Sequence, residues 1–183
     1  MRPHIIYYVA ASIDGYIATP DGSVDWLNAF ENNSEENSGE DYGYEAFYQS
    51  IDGLIMGSHT YEQVCSFGEW VYPGKPCWVL SQRSIPVSQP EVTLTHQPPE
   101  AIVPLLEAQK LQRVWLVGGG QIATAFYQRG FLDEFILSLM PIVLGSGIPL
   151  LQPTERSQML ELTEAKTFPS GVVQLYYRRK PQS

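Results

Sequence analysis

Short buried-strand signals that give way at once to helical patterns constrain this chain more than any other feature. Residues 54–56, Leu-Ile-Met, lead into Gly57-Ser58-His59-Thr60 and a helical pattern over Ser58–Ser66. The strand Cys77–Leu80 runs into Ser81-Gln82-Arg83, and residues 114–117, Val-Trp-Leu-Val, into Gly118-Gly119-Gly120 and a helix with Ile122, Ala125 and Phe126 on one face. Continuous apolar runs of this kind suit strands buried on both faces, which is the habit of parallel sheets. Around them, His4–Ser12 reads as a buried strand and Tyr44, Phe47 and Tyr48 as the inner side of a short helix ending before Asp52-Gly53. Residues 32–39 read as loop, and Val92–Thr95 as a further strand. A helix follows from Pro98-Pro99 to about Lys110. A proline costs ~3 kcal/mol in a helix interior and little in the first turn, so Pro104 places the ordered start near Val103. Strands are predicted over 133–139, 141–144 and 148–151, then a hairpin of 160–168 and 172–178 around Pro169-Ser170-Gly171. The order predicts an α/β fold with a mixed sheet, parallel at its centre and antiparallel toward the C-terminal edge. No repeat or linker divides residues 1–183, which predicts one domain.

Charge narrows the partners. Twenty acidic residues against eleven basic ones give a net charge of −9, and no Lys or Arg lies between Arg2 and Lys75. Such a chain repels phosphate backbones and anionic lipid surfaces, so neither nucleic acid nor membrane is expected as a partner. The apolar run at residues 5–11 is too short to span a bilayer or to serve as a signal peptide, and a cytoplasmic location follows. Two cysteines, Cys65 and Cys77, and three histidines, His4, His59 and His96, match no zinc spacing. No metal is expected. The His-x-Glu and Pro-Cys-x-x-Cys pattern of a zinc deaminase is missing from the sequence.

The three loops are where chemistry could sit. Ligands of open α/β sheets bind beyond the carboxyl ends of parallel strands, so these loops should line one crevice. Two of them present helix N-termini, whose free N–H groups and positive dipole end suit a pyrophosphate, and glycine lets the backbone come close. Thr60 adds a hydroxyl, and Ser81 with Arg83 could hold a phosphomonoester. Singly, each feature has a plain structural reading: a tight turn, a helix-start hydrogen bond, a solvated charge.

Taken in order, Asp52 to Glu62, then Pro73-Gly74-Lys75 before a strand ending Leu80-Ser81, then Val117-Gly118-Gly119-Gly120, resemble the dihydrofolate reductase superfamily. Within it, Ala11-Ser12-Ile13-Asp14-Gly15-Tyr16-Ile17-Ala18, Gly130-Phe131-Leu132-Asp133-Glu134 and the run from Pro141 to Leu151 are similar to the C-terminal reductase domain of the riboflavin-biosynthesis enzyme RibD. The resemblance implies a dihydrofolate reductase-like three-layer fold with about eight strands and NADPH across the strand ends. By position, Ala10 and Ile17 would offer backbone groups to the nicotinamide carboxamide. Gly57, Ser58, His59 and Thr60 would meet the pyrophosphate at one helix start, and Gly118, Gly119, Gly120, Gln121 and Ile122 at the other. Ser81, Gln82 and Arg83 would surround the adenosine 2′-phosphate.

The implied activity is hydride transfer from NADPH to a small heterocyclic or carbonyl/imine substrate. By branch, that substrate is the 5-amino-6-(5-phosphoribosylamino)uracil precursor of riboflavin, with a pterin as the alternative. Ser58 stands where dihydrofolate reductases carry a basic residue, and no Lys or Arg between Gly57 and Lys75 could bind a folate tail. Counting back from Gly57 reaches Asp41, the position of the pterin-binding carboxylate. There it would act as a proton-supplying group with a raised pKa in an apolar cleft, or else as a helix cap. Apolar late strands with Phe135, Ile136, Tyr176 and Tyr177 predict a homodimer. A non-catalytic nucleotide-binding dimer is the rival of another class.

Overall fold

The computed structural model describes residues 1–31 and 41–180. The loop expected at 32–39 lies outside the described residues. In chain order the elements are β1 (His4–Ser12), β2 (Tyr16–Ala18), a 3-10 turn (Asp25–Leu27), α1 (Asn28–Glu31), α2 (Tyr44–Ser50), β3 (Gly53–Gly57), α3 (Ser58–Ser66), β4 (Cys77–Leu80) and β5 (Val92–Thr95). There follow α4 (Pro99–Ala108), β6 (Arg113–Gly118), α5 (Gly120–Gln128), β7 (Leu132–Met140), β8 (Ile148–Pro149), β9 (Leu160–Thr167) and β10 (Val173–Arg179).

The main sheet has eight strands in the order β5-β4-β3-β6-β1-β7-β10-β9. Pairings from β5 through β7 are parallel, and β10 pairs antiparallel with both β7 and β9. This is the α/β mixed sheet read from the sequence, parallel at its centre and antiparallel at the C-terminal edge. Strand alternation divides the core into two layers. Ile55 and Leu116 face one side with Ile102, Leu106 and Phe126 of α4 and α5, while Leu54, Met56 and Trp115 face the other with Tyr61 and Val64 of α3. No helix among the described residues is long and apolar enough to cross a membrane.

Two expectations are corrected. The fourth helix starts at Pro99, not near Val103, and carries Pro104 inside it. Pro99 occupies the first turn, where its missing N–H is harmless, and burial of Ile102, Val103 and Leu106 holds the helix across the bond that Pro104 cannot make. Residues 141–144 form no strand. Asp14 accepts the N–H of Leu144 at 3.0 Å and of Gly145 at 2.7 Å, tying this stretch to the turn after β1 instead of to a ladder. Of the late aromatics, Phe135 and Ile136 are buried within β7 and Tyr176 and Tyr177 are half-buried; the C-terminal edge of the sheet is β9, which carries Glu161, Glu164 and Lys166.

Candidate active site

The ends of β3, β4 and β6 meet as the sheet order requires. The β3–α3 and β6–α5 junctions touch: a Cβ added at Gly57 would sit 3.0 Å from Ile122 Cγ1 and 3.7 Å from Gly119 N. Thr60 Oγ1 lies 3.5 and 3.6 Å from the Cβ positions of Gly118 and Gly119. Both helices open on glycine, α3 after Gly57 and α5 after Gly119, with no side chain among the described residues capping either start. Their first N–H groups are therefore left to an acceptor from outside the helix, the arrangement that suits phosphate oxygens.

The third loop reaches the same place. Arg83 donates to Ser58 Oγ at 3.3 Å and pairs with Glu62 at 2.7 Å, both on α3. Ser81 Oγ accepts the Arg83 N–H at 2.9 Å, and His96 Nδ1 lies 2.6 Å from the Ser81 carbonyl oxygen. Gln82, Arg83, His59 and Gln121 are exposed, and Ser58, Thr60, Gly119 and Ile122 are half-buried. Ile17 lies on β2, which pairs with β8. The carbonyl of Pro149 on β8 would collide with any Cβ at Gly120, so the β2–β8 ribbon packs on the start of α5. These residues fit a dinucleotide phosphate: glycine backbone at two helix starts, a hydroxyl between them and one exposed guanidinium.

A cavity of about 470 Å³ opens beside this crevice between β1, α2, β6 and β7. Tyr8, Ala10, Tyr44, Trp115, Ser138 and Met140 form much of its wall. Ala10 joins the two features, being both in this wall and in the set expected to face nicotinamide. None of the described lining residues is Lys or Arg. A family model for the RibD C-terminal domain matches residues 69–174, more than half of the chain.

The chain belongs to the RibD C-terminal domain family. It is 36% identical to the uncharacterized protein YwjB of Bacillus subtilis, across 98% of this chain and 99% of YwjB. A crystal structure of a Shewanella sp. PV-4 protein ascribed to riboflavin biosynthesis superposes with a TM-score of 0.87 at 31% identity, covering 99% of this chain and all of that one. The bifunctional diaminohydroxyphosphoribosylaminopyrimidine deaminase/5-amino-6-(5-phosphoribosylamino)uracil reductase of Thermotoga maritima shares the fold at a TM-score of 0.72 and 14% identity, covering 98% of this chain and 57% of its own.

In this RibD-type domain Asp41 stands at the cavity rim, but its environment is not the one expected of an acid. The side chain is exposed, and its two oxygens accept the N–H groups of Glu45 at 3.1 Å and Gly43 at 2.8 Å at the start of α2. Those two backbone bonds hold its carboxyl below the usual range instead of raising it. The capping alternative describes what this carboxylate does in the fold.

Reasoning from sequence missed the polar floor of the cavity. Gln174, fully buried on β10, donates from Nε2 to Tyr8 Oη and to Ser138 Oγ, each at 3.0 Å, and its Oε1 accepts from Tyr176 Oη at 2.6 Å. Burial pushes the Tyr8 phenol above its ordinary value, while contacts with Gln174 and Ser138 pull the other way. The signal in the sequence was faint: Ser138 interrupts the apolar run from Phe135 to Met140 on β7, and Gln174 stands between Val173 and Leu175 on β10.

Proposed function

We propose that this RibD-type domain is an NADPH-dependent reductase acting on a small, planar, uncharged carbonyl or imine compound. The observation that carries the reading is the meeting of three loops, distant in sequence, at two uncapped glycine helix starts beside an aromatic-walled cavity. Gly57 to Thr60 and Gly118 to Ile122 would bind the pyrophosphate through backbone N–H groups, and Ser81, Gln82 and Arg83 the 2′-phosphate. Ala10 and Ile17 would orient the nicotinamide ring toward the cavity. When bound, the dinucleotide supplies the hydride. The aromatic wall of Tyr44 and Trp115 would stack a flat substrate and keep water from it.

A second reading, reduction of the phosphoribosylaminouracil intermediate, is favoured by membership of the RibD C-terminal family. Against it stands the cavity wall, where the described residues place no cation to meet a ribose phosphate, and residues 32–40 contain no Lys or Arg. Fluorescence titration tests the cofactor: NADPH should bind more tightly than NADH, and equal affinity would remove the 2′-phosphate pocket. Following NADPH oxidation with the riboflavin intermediate, dihydrofolate and a panel of aromatic ketones separates the substrates. Turnover confined to the phosphorylated compound would overturn the neutral-substrate reading, and binding without any turnover would favour a non-catalytic nucleotide-binding protein. Self-association through the late strands now rests on the free edge of β9 and its exposed Leu162. A monomer by light scattering at micromolar concentration removes it.

A further inference from the structure

The hydrogen-bond distances around Gln174 give its amide a direction. O–H···O contacts cluster near 2.7–2.8 Å and N–H···O contacts near 2.9–3.0 Å. The 2.6 Å contact with Tyr176 therefore belongs to the amide oxygen, and the two 3.0 Å contacts with Tyr8 and Ser138 to its nitrogen. The opposite orientation would put a short N–H···O bond on Tyr176 and long O–H···O bonds on the other two. Lys166 Nζ lies 3.5 Å from the Tyr176 oxygen, and an ammonium can only donate. Donation thus runs inward from β9, through Tyr176 on β10 and the buried amide, to the phenol oxygen of Tyr8.

Direction decides what Tyr8 can do. Its oxygen accepts from Gln174, and Ser138 Oγ is a second hydrogen-bonding neighbour of the same oxygen. Accepting from Gln174, the phenol keeps its own proton to give either to Ser138 Oγ or to a ligand in the cavity that Tyr8 and Ser138 both line. The ring cannot swing away easily. Phe47 meets it edge-on with centroids 4.7 Å apart, and the Trp115 indole donates to the Tyr8 backbone carbonyl at 3.0 Å. In a mostly apolar cavity, one fixed donor selects a ligand that has an acceptor atom to offer.

We propose that the Tyr8 hydroxyl is the hydrogen-bond donor that orients and polarises a carbonyl or imine acceptor in the cavity, with Gln174, locked by Tyr176, fixing the direction of that donation. Tyr8 would touch the ligand; Gln174 and Tyr176 would be positioning residues. The assignment rests on the cavity being the substrate site, and its test needs no cofactor. Acetophenone labelled with carbon-13 at the carbonyl serves as the probe, read by infrared difference spectroscopy and by its dissociation constant. The carbonyl band should lie at lower frequency when bound to the wild type. Tyr8→Phe should abolish that displacement and weaken binding about 3- to 10-fold, the range of one hydrogen bond.

Tyr176→Phe is the discriminating variant. It lines no part of the cavity wall, yet it releases the amide to rotate and offer its oxygen to Tyr8, which would turn the phenol proton inward. The band should then shift back toward the Tyr8→Phe position although Tyr8 is still present. A merely structural role for Tyr176 would leave the band unmoved, and that result would overturn the directional part of the proposal. An unchanged band in Tyr8→Phe, or no saturable binding of acetophenone, would overturn the donor itself. The NADPH titration is read separately: tight NADPH binding without the band displacement removes the Tyr8 assignment alone, and the displacement without NADPH binding removes the reductase reading alone.

Discussion

Arg83, on the loop after β4, reaches across to Ser58 at the start of α3, with its guanidinium 3.3 Å from the serine hydroxyl and 2.7 Å from the Glu62 carboxylate. The cation proposed to receive a 2′-phosphate is thus already beside the helix start that would take the pyrophosphate. A carboxylate competes for it there.

Removing that competitor should help the cofactor. Both partners of the pair are about half exposed, and such pairs contribute up to ~1 kcal/mol. Glu62→Gln is expected to tighten NADPH binding roughly 2- to 5-fold, within that energy. Arg83→Ala should weaken NADPH and leave NADH unaltered. Fluorescence titration of both nucleotides checks the pair of variants.

Gly120 has no room for a side chain. Any Cβ there would land on the Pro149 carbonyl, a backbone group fixed in the β2–β8 ribbon, so helix and ribbon would have to part. Gly120→Ala should cost ~1–3 kcal/mol, as overpacking does, and lower the melting temperature by roughly 2–12 °C. Thermal unfolding by circular dichroism measures it. Loss of NADPH affinity should accompany the loss of stability, because α5 begins at this residue.

Glu134 should make the fold acid-sensitive. Burial pushes its carboxyl up, but the hydrogen bond from His4 at 2.9 Å, together with the charges of His4, Arg178 and Arg113, outweighs burial and holds it below the ordinary value of 4.5. A carboxyl depressed in the folded state adds stability that is fully present above its unfolded pKa and disappears as pH falls through the folded one. Melting temperature should therefore fall as pH drops below about 4.5. Glu134→Gln should flatten that decline while losing ~1–3 kcal/mol at pH 7. Melting curves of both proteins between pH 3 and pH 7 provide the comparison.

Asp41→Asn separates a cap from an acid. Asparagine caps a helix start about as well as aspartate but cannot supply a carboxyl proton. NADPH oxidation by Asp41→Asn is expected to stay within about threefold of wild type, and Asp41→Ala to lower the melting temperature. A tenfold or larger loss of turnover in the asparagine variant would restore the carboxylate to the chemistry.

The strand-to-helix junctions were legible in the sequence because one short apolar run and one glycine turn leave the backbone few choices. β3, β4 and β6 and the helices after two of them stand where those runs lie. Less legible were features decided by contacts between distant segments. Nothing local in Pro141 to Leu144 says that Asp14 takes its amides, and no helix rule weighs Pro104 against the burial of Leu106. Gln174 and Ser138 face each other only because β10 and β7 pair in that register. Tyr8 looked like one more apolar residue in a buried strand.

The place of β1 in the sheet carries a consequence for how the molecule is made. Ile5 pairs with Val114 on one side and Leu132 on the other, so the earliest strand has both its neighbours more than a hundred residues later in the chain. As synthesis proceeds from the N-terminus, β1 waits with both edges open until β6 and β7 have emerged. Contacts of such long sequence separation are slow to form and leave unpaired strand exposed meanwhile. A nascent chain of this protein therefore keeps an unpaired strand exposed for longer than a fold whose first strand pairs with its second.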